Sequence, residues 1–309
     1  TVDEAATERA RQEAVERVSP VVVVVQEGEN IVERGDIAKA IAHYEAALEI
    51  APHFVWVLSK LGKLLASKGR IDEAIARYRE ALELDPENQD LYYLMGRDLI
   101  LKGESAEAVG HLEEALRLNP QDARAHNAIG PLVADEDPEG AIEHYKRALD
   151  IAPDFTLALN NWGNLLADQG KYEEAEERYR KALEIRPSDE YAYYNLARCA
   201  EAQDKNDEAI AYYKKAMKNS PRNSVIPNDL GLLYAKLGRI DDAKAMYRHA
   251  IEVDPENPLP YNNLGYMAYQ EGDIERAIEY YSQALEATPN FVQALNNLAC
   301  LLYTSPSPR

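Results

Sequence analysis

A proline recurs along this chain at an almost constant interval, and this spacing restricts the fold more than any other feature of the sequence. The interval is 34 residues in six of seven cases and 33 residues in the other. The eight prolines are Pro52, Pro86, Pro120, Pro153, Pro187, Pro221, Pro255 and Pro289. A fixed period of this length is typical of stacked repeats, in which each unit buries its apolar face against its neighbours.

The same residue types recur at fixed positions within each period. If the proline is position 32, positions 20 and 27 are alanine in all eight repeats. Position 24 is tyrosine except at Leu112, and position 8 is glycine except at Ala197. Small residues at positions 8, 20 and 27 predict two closely packed helices, with the tyrosine filling the space between them.

The ends of both helices can also be predicted. Glycine near position 15 ends the first helix, and the proline ends the second. Acidic pairs such as Asp72-Glu73 and Asp241-Asp242 begin the second helix, where the helix dipole favours negative charge. The sequence therefore predicts an all-α fold of eight helix–turn–helix repeats and the start of a ninth.

These residues resemble the tetratricopeptide repeat family, whose W-x2-L-G-x2-Y, A-x3-F and P pattern they follow over roughly residues 21–299. The resemblance implies a right-handed α-solenoid in which the first helix of each repeat lines a concave groove. It also implies a non-catalytic scaffold that binds a partner protein or an extended peptide in that groove.

The regularity of the pattern suggests a division of the chain. Residues 1–20 are predicted to be a helical segment, either a degenerate repeat or the end of an upstream region. Residues 21–154 hold repeats one to four. The fourth has lost one residue and carries Pro131 inside its first helix, which predicts a bend near residues 130–138. Residues 155–299 hold repeats five to eight and the start of the ninth.

Both ends of the chain depart from the pattern. Residues 300–309 resemble the translation of a transposase-derived sequencing adaptor, so we expect the genuine protein sequence to stop near Ala299. The chain also begins at Thr1 rather than at a methionine, so we expect a fragment. A cytoplasmic location is expected, and a periplasmic or envelope-associated one stays open.

Charge and motifs exclude several classes of function. Acidic residues outnumber basic ones by 54 to 34, which gives a net charge of −20 and disfavours nucleic acid as a partner. No apolar run has the length that membrane insertion requires. Two cysteines in different repeats and scattered histidines predict no metal or other cofactor. Phosphate-binding, hydrolase and zincin motifs are absent, so we predict that the chain is not an enzyme.

Asparagine recurs at positions 5 and 6 of the later first helices, which we expect to face the groove. An asparagine amide can donate to a peptide carbonyl and accept from its N–H, so a row of them would hold an extended chain by its backbone. The alternative is that these amides only cap local structure. The predicted peptide-binding residues, including nearby groove positions, are Asn160, Asn161, Asn164, Tyr194, Asn195, Arg198, Asn228, Asp229, Asn262, Asn263, Tyr266, Asn296 and Asn297.

The asparagine row is similar to that in the superhelix of the O-linked N-acetylglucosamine transferase family. This resemblance implies an alternative function, the substrate-recruiting arm of a larger glycosyltransferase. A third interpretation is an assembly factor at a bacterial envelope. The carboxylate clamp of chaperone-binding modules is not expected, because Asp229 stands where that clamp needs a base.

Basic residues at groove positions nearly balance the acidic ones, so the groove is predicted to be the least acidic surface of the chain. The basic residues are Lys60, Lys63, Arg97, Arg124, Arg198 and Lys236. The acidic residues are Glu29, Glu33, Asp90, Asp168 and Asp229.

Overall fold

The computed structural model describes residues 24, 26–32 and 35–304. Sixteen helices have defined bounds in this part of the chain, and no strand occurs there, so the predicted all-α repeat fold is confirmed. The helices are α1 (Ile37–Ile50), α2 (Val55–Ser67), α3 (Ile71–Leu84), α4 (Gln89–Lys102), α5 (Ser105–Leu118), α6 (Ala123–Val133), α7 (Pro138–Ile151), α8 (Thr156–Asp168), α9 (Tyr172–Ile185), α10 (Glu190–Ala202), α11 (Asn206–Asn219), α12 (Val225–Lys236), α13 (Ile240–Val253), α14 (Pro258–Gln270), α15 (Ile274–Ala287) and α16 (Val292–Thr304).

The chain forms two compact units, which we call unit 1 (Thr1–Pro153) and unit 2 (Asp154–Arg309). Unit 1 contains α1–α7 and unit 2 contains α8–α16. Within each unit, every helix packs against the helices that precede and follow it in the sequence. The predicted helical segment at residues 1–20 lies outside the described residues, as do residues 305–309.

The two helices of a repeat meet at positions 8 and 24. The position-24 tyrosines are at most 2% exposed, and the alanines at positions 20 and 27 are fully buried. A Cβ atom at Gly62 would lie 2.3 Å from Cε1 of Tyr78, and one at Gly231 would lie 2.6 Å from Cε1 of Tyr247. Because real Cβ atoms do not approach a ring so closely, the tyrosine can lie there only opposite glycine or after a local shift of the backbone.

The turn between the two helices requires a left-handed residue at position 15. Glycine supplies it in six repeats, with φ between +72° and +83°. In repeat six this residue is Asp204, with φ +56°, and it is the one non-glycine residue with positive φ in the described part of the chain. Lys205 N then bonds to Ala200 O at 2.9 Å, as Lys171 N bonds to Leu166 O in repeat five, so both turns close in the same way.

Asp204→Gly should therefore raise the free energy of unfolding of unit 2. A side chain in the left-handed conformation costs about 1–2 kcal/mol, part of which the greater freedom of an unfolded glycine offsets, so we expect a gain of about 1 kcal/mol. The exposed contact of Asp204 with Lys236, at 3.5 Å, contributes little to stability. Urea denaturation measures the change. The matched variant Gly238→Asp should lose a comparable amount, and a loss from Asp204→Gly itself would contradict this explanation.

Repeat four departs from the pattern as the sequence indicates. Its first helix, α6, is the shortest of the sixteen and ends at Val133, two residues after Pro131. Asp137 accepts a hydrogen bond from Gly140 N at 2.9 Å, and Pro138 is the first residue of α7. The second helix of this repeat therefore begins with an aspartate cap followed by proline, a favourable pair for a helix start. The bend near residues 130–138 stays a prediction.

Candidate peptide-binding groove

Two adjacent concave pockets open between the first helices of repeats five to seven. The first lies between α8 and α10 and has a volume of about 420 Å³. Its polar lining includes Asn164, Asp168, Asn195 and Arg198. The second lies between α10 and α12 and has a volume of about 380 Å³. Arg198 lines both pockets, so the two form one continuous concave surface.

Amide groups organise the first pocket. Asn164 Oδ1 accepts a hydrogen bond from Tyr179 Oη at 2.8 Å and another from Asn195 Nδ2 at 2.9 Å. These bonds use neither the amide nitrogen of Asn164 nor the amide oxygen of Asn195, so a donor and an acceptor remain for a ligand.

Arg198 is the cation shared by both pockets. Its guanidinium carbon lies 6.0 Å from the centroid of the Tyr194 ring, and no carboxylate of the described residues forms an ion pair with it. Because Arg198 is exposed and unpaired, a carboxylate or carbonyl oxygen of a ligand can reach it without first displacing a protein group.

The second pocket is held by a hydrogen bond between repeats. Tyr194 Oη donates to Asp229 Oδ2 at 2.6 Å, and Asn228 Nδ2 donates to Asp229 Oδ1 at 3.2 Å. Burial, reinforced by the bond to Asp229, raises the pKa of Tyr194 above its ordinary value. The hydroxyl therefore stays protonated at physiological pH and remains a donor to Asp229. Leu232 and Lys236 form the outer part of this pocket.

Cys199 lines the first pocket but is not suited to act as a nucleophile. Burial raises the pKa of its thiol to about 11, so the thiolate is scarce at neutral pH. Of the described residues, no group of three or more His, Cys, Asp or Glu side chains is arranged to hold a metal ion.

The position-5 asparagines do not face the groove as the sequence suggested. Asn160, Asn228 and Asn262 are buried, with exposures of 3%, 2% and 8%. Asn160 Nδ2 donates to the buried Asp189 at 3.1 Å, at the start of the next repeat. The expectation that position 5 faces the groove is wrong for these three residues, because position 5 lies on the side of the helix that the following repeat covers.

Position 6 instead joins consecutive repeats. Asn263 Nδ2 donates to Asn228 Oδ1, and Asn297 Nδ2 donates to Asn262 Oδ1, both at 2.9 Å. These bonds favour the interpretation that the amides support local structure. Asn161 is half-buried and also has interactions with its surroundings.

The structure thus brings only some of the predicted peptide-binding residues together at the two pockets. Asn164, Tyr194, Asn195, Arg198 and Asp229 lie in or beside the two pockets. The residues of repeats eight and nine lie outside these pockets, with Tyr266 and Asn296 exposed and Asn263 and Asn297 half-buried. Whether any member of the set binds a peptide stays a prediction.

Sequence reasoning missed a row of exposed apolar side chains at position 2 of repeats five to eight. Their exposures lie between 36% and 60%. The residues are Leu157, Tyr191, Val225 and Leu259. The sequence contains this pattern, because position 2 is apolar in four successive repeats. Position 2 is not one of the predicted core positions, so burial does not account for the apolar residues.

Comparison with known families agrees with the repeat pattern. Models described as tetratricopeptide repeats match residues 32–77, 93–154, 154–222, 192–256 and 228–290, and a model described as a TPR repeat matches residues 62–97. The chain is a tetratricopeptide repeat protein. Tetratricopeptide repeat arrays are protein-interaction modules and are generally not catalytic. Residues 1–40 also match a model described as 7TM-HD extracellular.

Solved structures of other proteins resemble this tetratricopeptide repeat chain. Pseudomonas aeruginosa pilF has a TM-score of 0.56 and 24% identity, covering 70% of this chain and 98% of that one. A chain of the APC/C hetero-tetramer Cut9–Hcn1 has a TM-score of 0.61 and 17% identity, covering 97% of this chain and 59% of that one. At these identities the likeness shows the fold alone. No curated protein matches the chain.

None of the helices in the described part of this tetratricopeptide repeat protein combines the length and the apolar character that crossing a membrane requires.

Proposed function

We propose that this chain is a non-catalytic scaffold that binds an extended segment of a partner protein along the concave surface of unit 2. The observation that carries the proposal is the first pocket, where the unpaired Arg198 and the amides of Asn164 and Asn195 surround a space of about 420 Å³. Backbone groups of a peptide match the free amide groups, and Arg198 suits a carbonyl or carboxylate oxygen.

The row of apolar side chains at position 2 supports an extended ligand. Packed helices lie about 8–10 Å apart, which is close to three residues of extended chain at about 3.3 Å each. Every third side chain of such a ligand would reach the next member of the row, from Leu157 to Tyr191 and Val225. The net charge of −20 supports a protein partner over a nucleic acid.

The substrate-recruiting arm of a glycosyltransferase has weaker support. That alternative rests on amides available to a peptide, and Asn228, Asn262, Asn263 and Asn297 are bonded to one another.

The test selects peptides from a phage-displayed random library on the wild-type protein and measures their affinity by fluorescence anisotropy. Asn195→Ala with Arg198→Ala should weaken binding by about tenfold or more, because both side chains contact the ligand. The matched control is Lys181→Ala with Lys214→Ala, two exposed residues of the second helices α9 and α11, and should leave binding unchanged. Selected peptides that bind both double variants equally would contradict the proposal.

A further inference from the structure

The first helices of unit 1 carry a second candidate surface with different chemistry. Lys60 and Lys63 lie on α2, Arg97 on α4 and Arg124 on α6, so consecutive first helices bring four basic side chains together. We call these four residues the basic cluster. It lies in a chain whose net charge is −20, which makes a local concentration of cations unusual.

Contacts across the repeats hold the basic cluster together. Arg124 bonds to Asp90 of the preceding repeat at 2.8 Å, and its guanidinium carbon lies 4.5 Å from the centroid of the Tyr93 ring. Lys60 Nζ lies 4.9 Å from the centroid of the Trp56 ring. Burial is the main cause that lowers the pKa of Lys63, and Lys60, Arg97 and Arg124 lower it further, whereas Asp90 opposes them. The four cations are thus close enough to repel one another.

Two of the acidic residues that compensate the cluster are covered by it. Asp98 is fully buried and pairs with Arg97 at 2.6 Å. Asp122 is also buried and pairs with Arg124 at 2.7 Å.

At the surface, the basic cluster has fewer exposed acidic side chains than basic ones. Among the described acids that pair with the cluster, Glu29, paired with Lys60 at 3.6 Å, is half-exposed and Asp90 is exposed, whereas the other two are buried. No carboxylate of the described residues lies within ion-pair distance of Lys63. The exposed groups that a ligand meets are therefore mostly cationic, and none of the described carboxylates pairs with the ammonium group of Lys63.

We propose that the basic cluster is a second binding site, which takes an acidic segment of a protein with its carboxylates on Lys63, Arg97 and Arg124. Carboxylates would relieve the repulsion among the cations and supply Lys63 with a partner that the described residues do not provide. The cluster spans three repeats, or roughly 20 Å, which about six residues of extended chain cover. Trp56, 38% exposed beside Lys60, offers an apolar surface to the stems of acidic side chains.

An acidic peptide fits this surface better than a nucleic acid does. The rest of the chain is strongly acidic and would repel a long phosphate backbone, whereas a short segment meets only the cluster. The site shares no residue with the pockets of unit 2, so either proposal can fail without the other.

Tryptophan fluorescence gives a direct test. The chain has two tryptophans, so Trp162→Phe leaves Trp56 beside the cluster as the single reporter. A hexaglutamate peptide is titrated in about 0.15 M salt, where charges more than about 8 Å apart are largely screened. We expect a saturable change in Trp56 fluorescence with hexaglutamate and none with hexaglutamine. Inorganic phosphate, added as a competitor, should displace the peptide only weakly.

Three further variants locate the site. Lys63→Met should weaken hexaglutamate binding by about tenfold, because a charge-assisted contact is lost. Lys146→Met removes the same charge from an exposed position of the second helix α7 and should leave binding unchanged. Asp90→Asn should strengthen binding several-fold, because it removes the exposed one of the two carboxylates that pair with Arg124 and leaves only the buried Asp122. A misfolded variant cannot mimic such a gain.

Three results would overturn the proposal. The first is the absence of saturable binding to hexaglutamate. The second is an equal effect of Lys63→Met and Lys146→Met, which would show general attraction rather than a site. The third is equal binding of phosphate and peptide, which would show an anion site without preference for a peptide.

Discussion

Tyr247→Ala should lower the free energy of unfolding of unit 2 by about 3–5 kcal/mol, the range for deleting a large buried aromatic side chain. The Tyr247 ring is 1% exposed and lies in the hydrophobic core of repeats six to eight. Urea denaturation followed by circular dichroism measures the loss. Gly231→Ala should also destabilise, by about 1–3 kcal/mol, because its methyl group would lie 2.6 Å from Cε1 of Tyr247.

The double variant separates this contact from general damage to the helices. In Gly231→Ala with Tyr247→Ala, the added methyl group enters the space that the ring has left, so the loss should be smaller than the sum of the single losses. Repeat six provides a natural comparison, because Ala197 already stands opposite Tyr213 and both are buried. Strictly additive losses would show that the glycine and the tyrosine do not depend on each other.

Asp189→Ala should lower the free energy of unfolding of unit 2 by about 3 kcal/mol, because hydrogen bonds rather than packing contacts are lost. Asp189 Oδ1 accepts from Ala192 N at 3.2 Å and so caps α10, while Oδ2 accepts from the buried Asn160 at 3.1 Å. Loss of the cap costs about 1 kcal/mol, and the unpaired amide of Asn160 adds about 1–3 kcal/mol. The carboxylate also pairs with Arg186, which is half exposed and contributes little.

Two controls identify the cause of that loss. Asp189→Asn keeps an oxygen that accepts from Ala192 N. Its amide nitrogen can donate to Asn160 Oδ1, a buried atom that has no hydrogen-bond partner among the described residues, once the Asn160 amide turns over. This variant should therefore lose much less stability in the same urea experiment. Asn160→Ala combined with Asp189→Ala should lose less than the two single variants together, because the unpaired amide of Asn160 is then absent and only the cap at Ala192 N is lost. If Asp189→Asn proves as damaging as Asp189→Ala, the negative charge itself is responsible.

The repeat fold could be predicted from the sequence because each of its determinants is local. Proline, the position-15 glycine and the acidic first turns fix where helices end and begin, and Asp137 caps α7 as its position before Pro138 indicates. The large residue at position 24 and the small residues at positions 8, 20 and 27 recur often enough to identify the buried positions of each repeat.

The direction of each groove residue could not be predicted in the same way. Asn228 and Asp229 are adjacent in the sequence and lie about 100° apart around the helix. Repeat seven buries Asn228 and leaves Asp229 half-exposed, because the neighbouring repeat covers one side only. Asparagine is compatible with either environment, so the residue type alone does not decide between them. The pockets likewise depend on the gap between neighbouring helices, which the period does not specify.

The basic cluster of unit 1 shows a related limit. Counting charges along the sequence suggests a groove in near balance. The structure places Asp98 and Asp122 beneath Arg97 and Arg124, so the balance of charge differs between the interior and the surface. A buried acid holds the basic side chain in place, whereas an exposed acid competes with a ligand for that side chain. The sequence does not show which acids are buried.

The hydrogen bonds between the first helices of unit 2 have a mechanical consequence. Each interface between successive repeats, from five to nine, is crossed by at least one: Asn195 to Asn164, Tyr194 to Asp229, Asn263 to Asn228 and Asn297 to Asn262. Stretching an interface by roughly 0.5 Å would carry a bond of 2.9 Å out of hydrogen-bonding range, at a cost of about 1 kcal/mol for each bond. Unit 2 should therefore resist elongation. A bound segment would have to match the spacing that the repeats have in the unstretched unit.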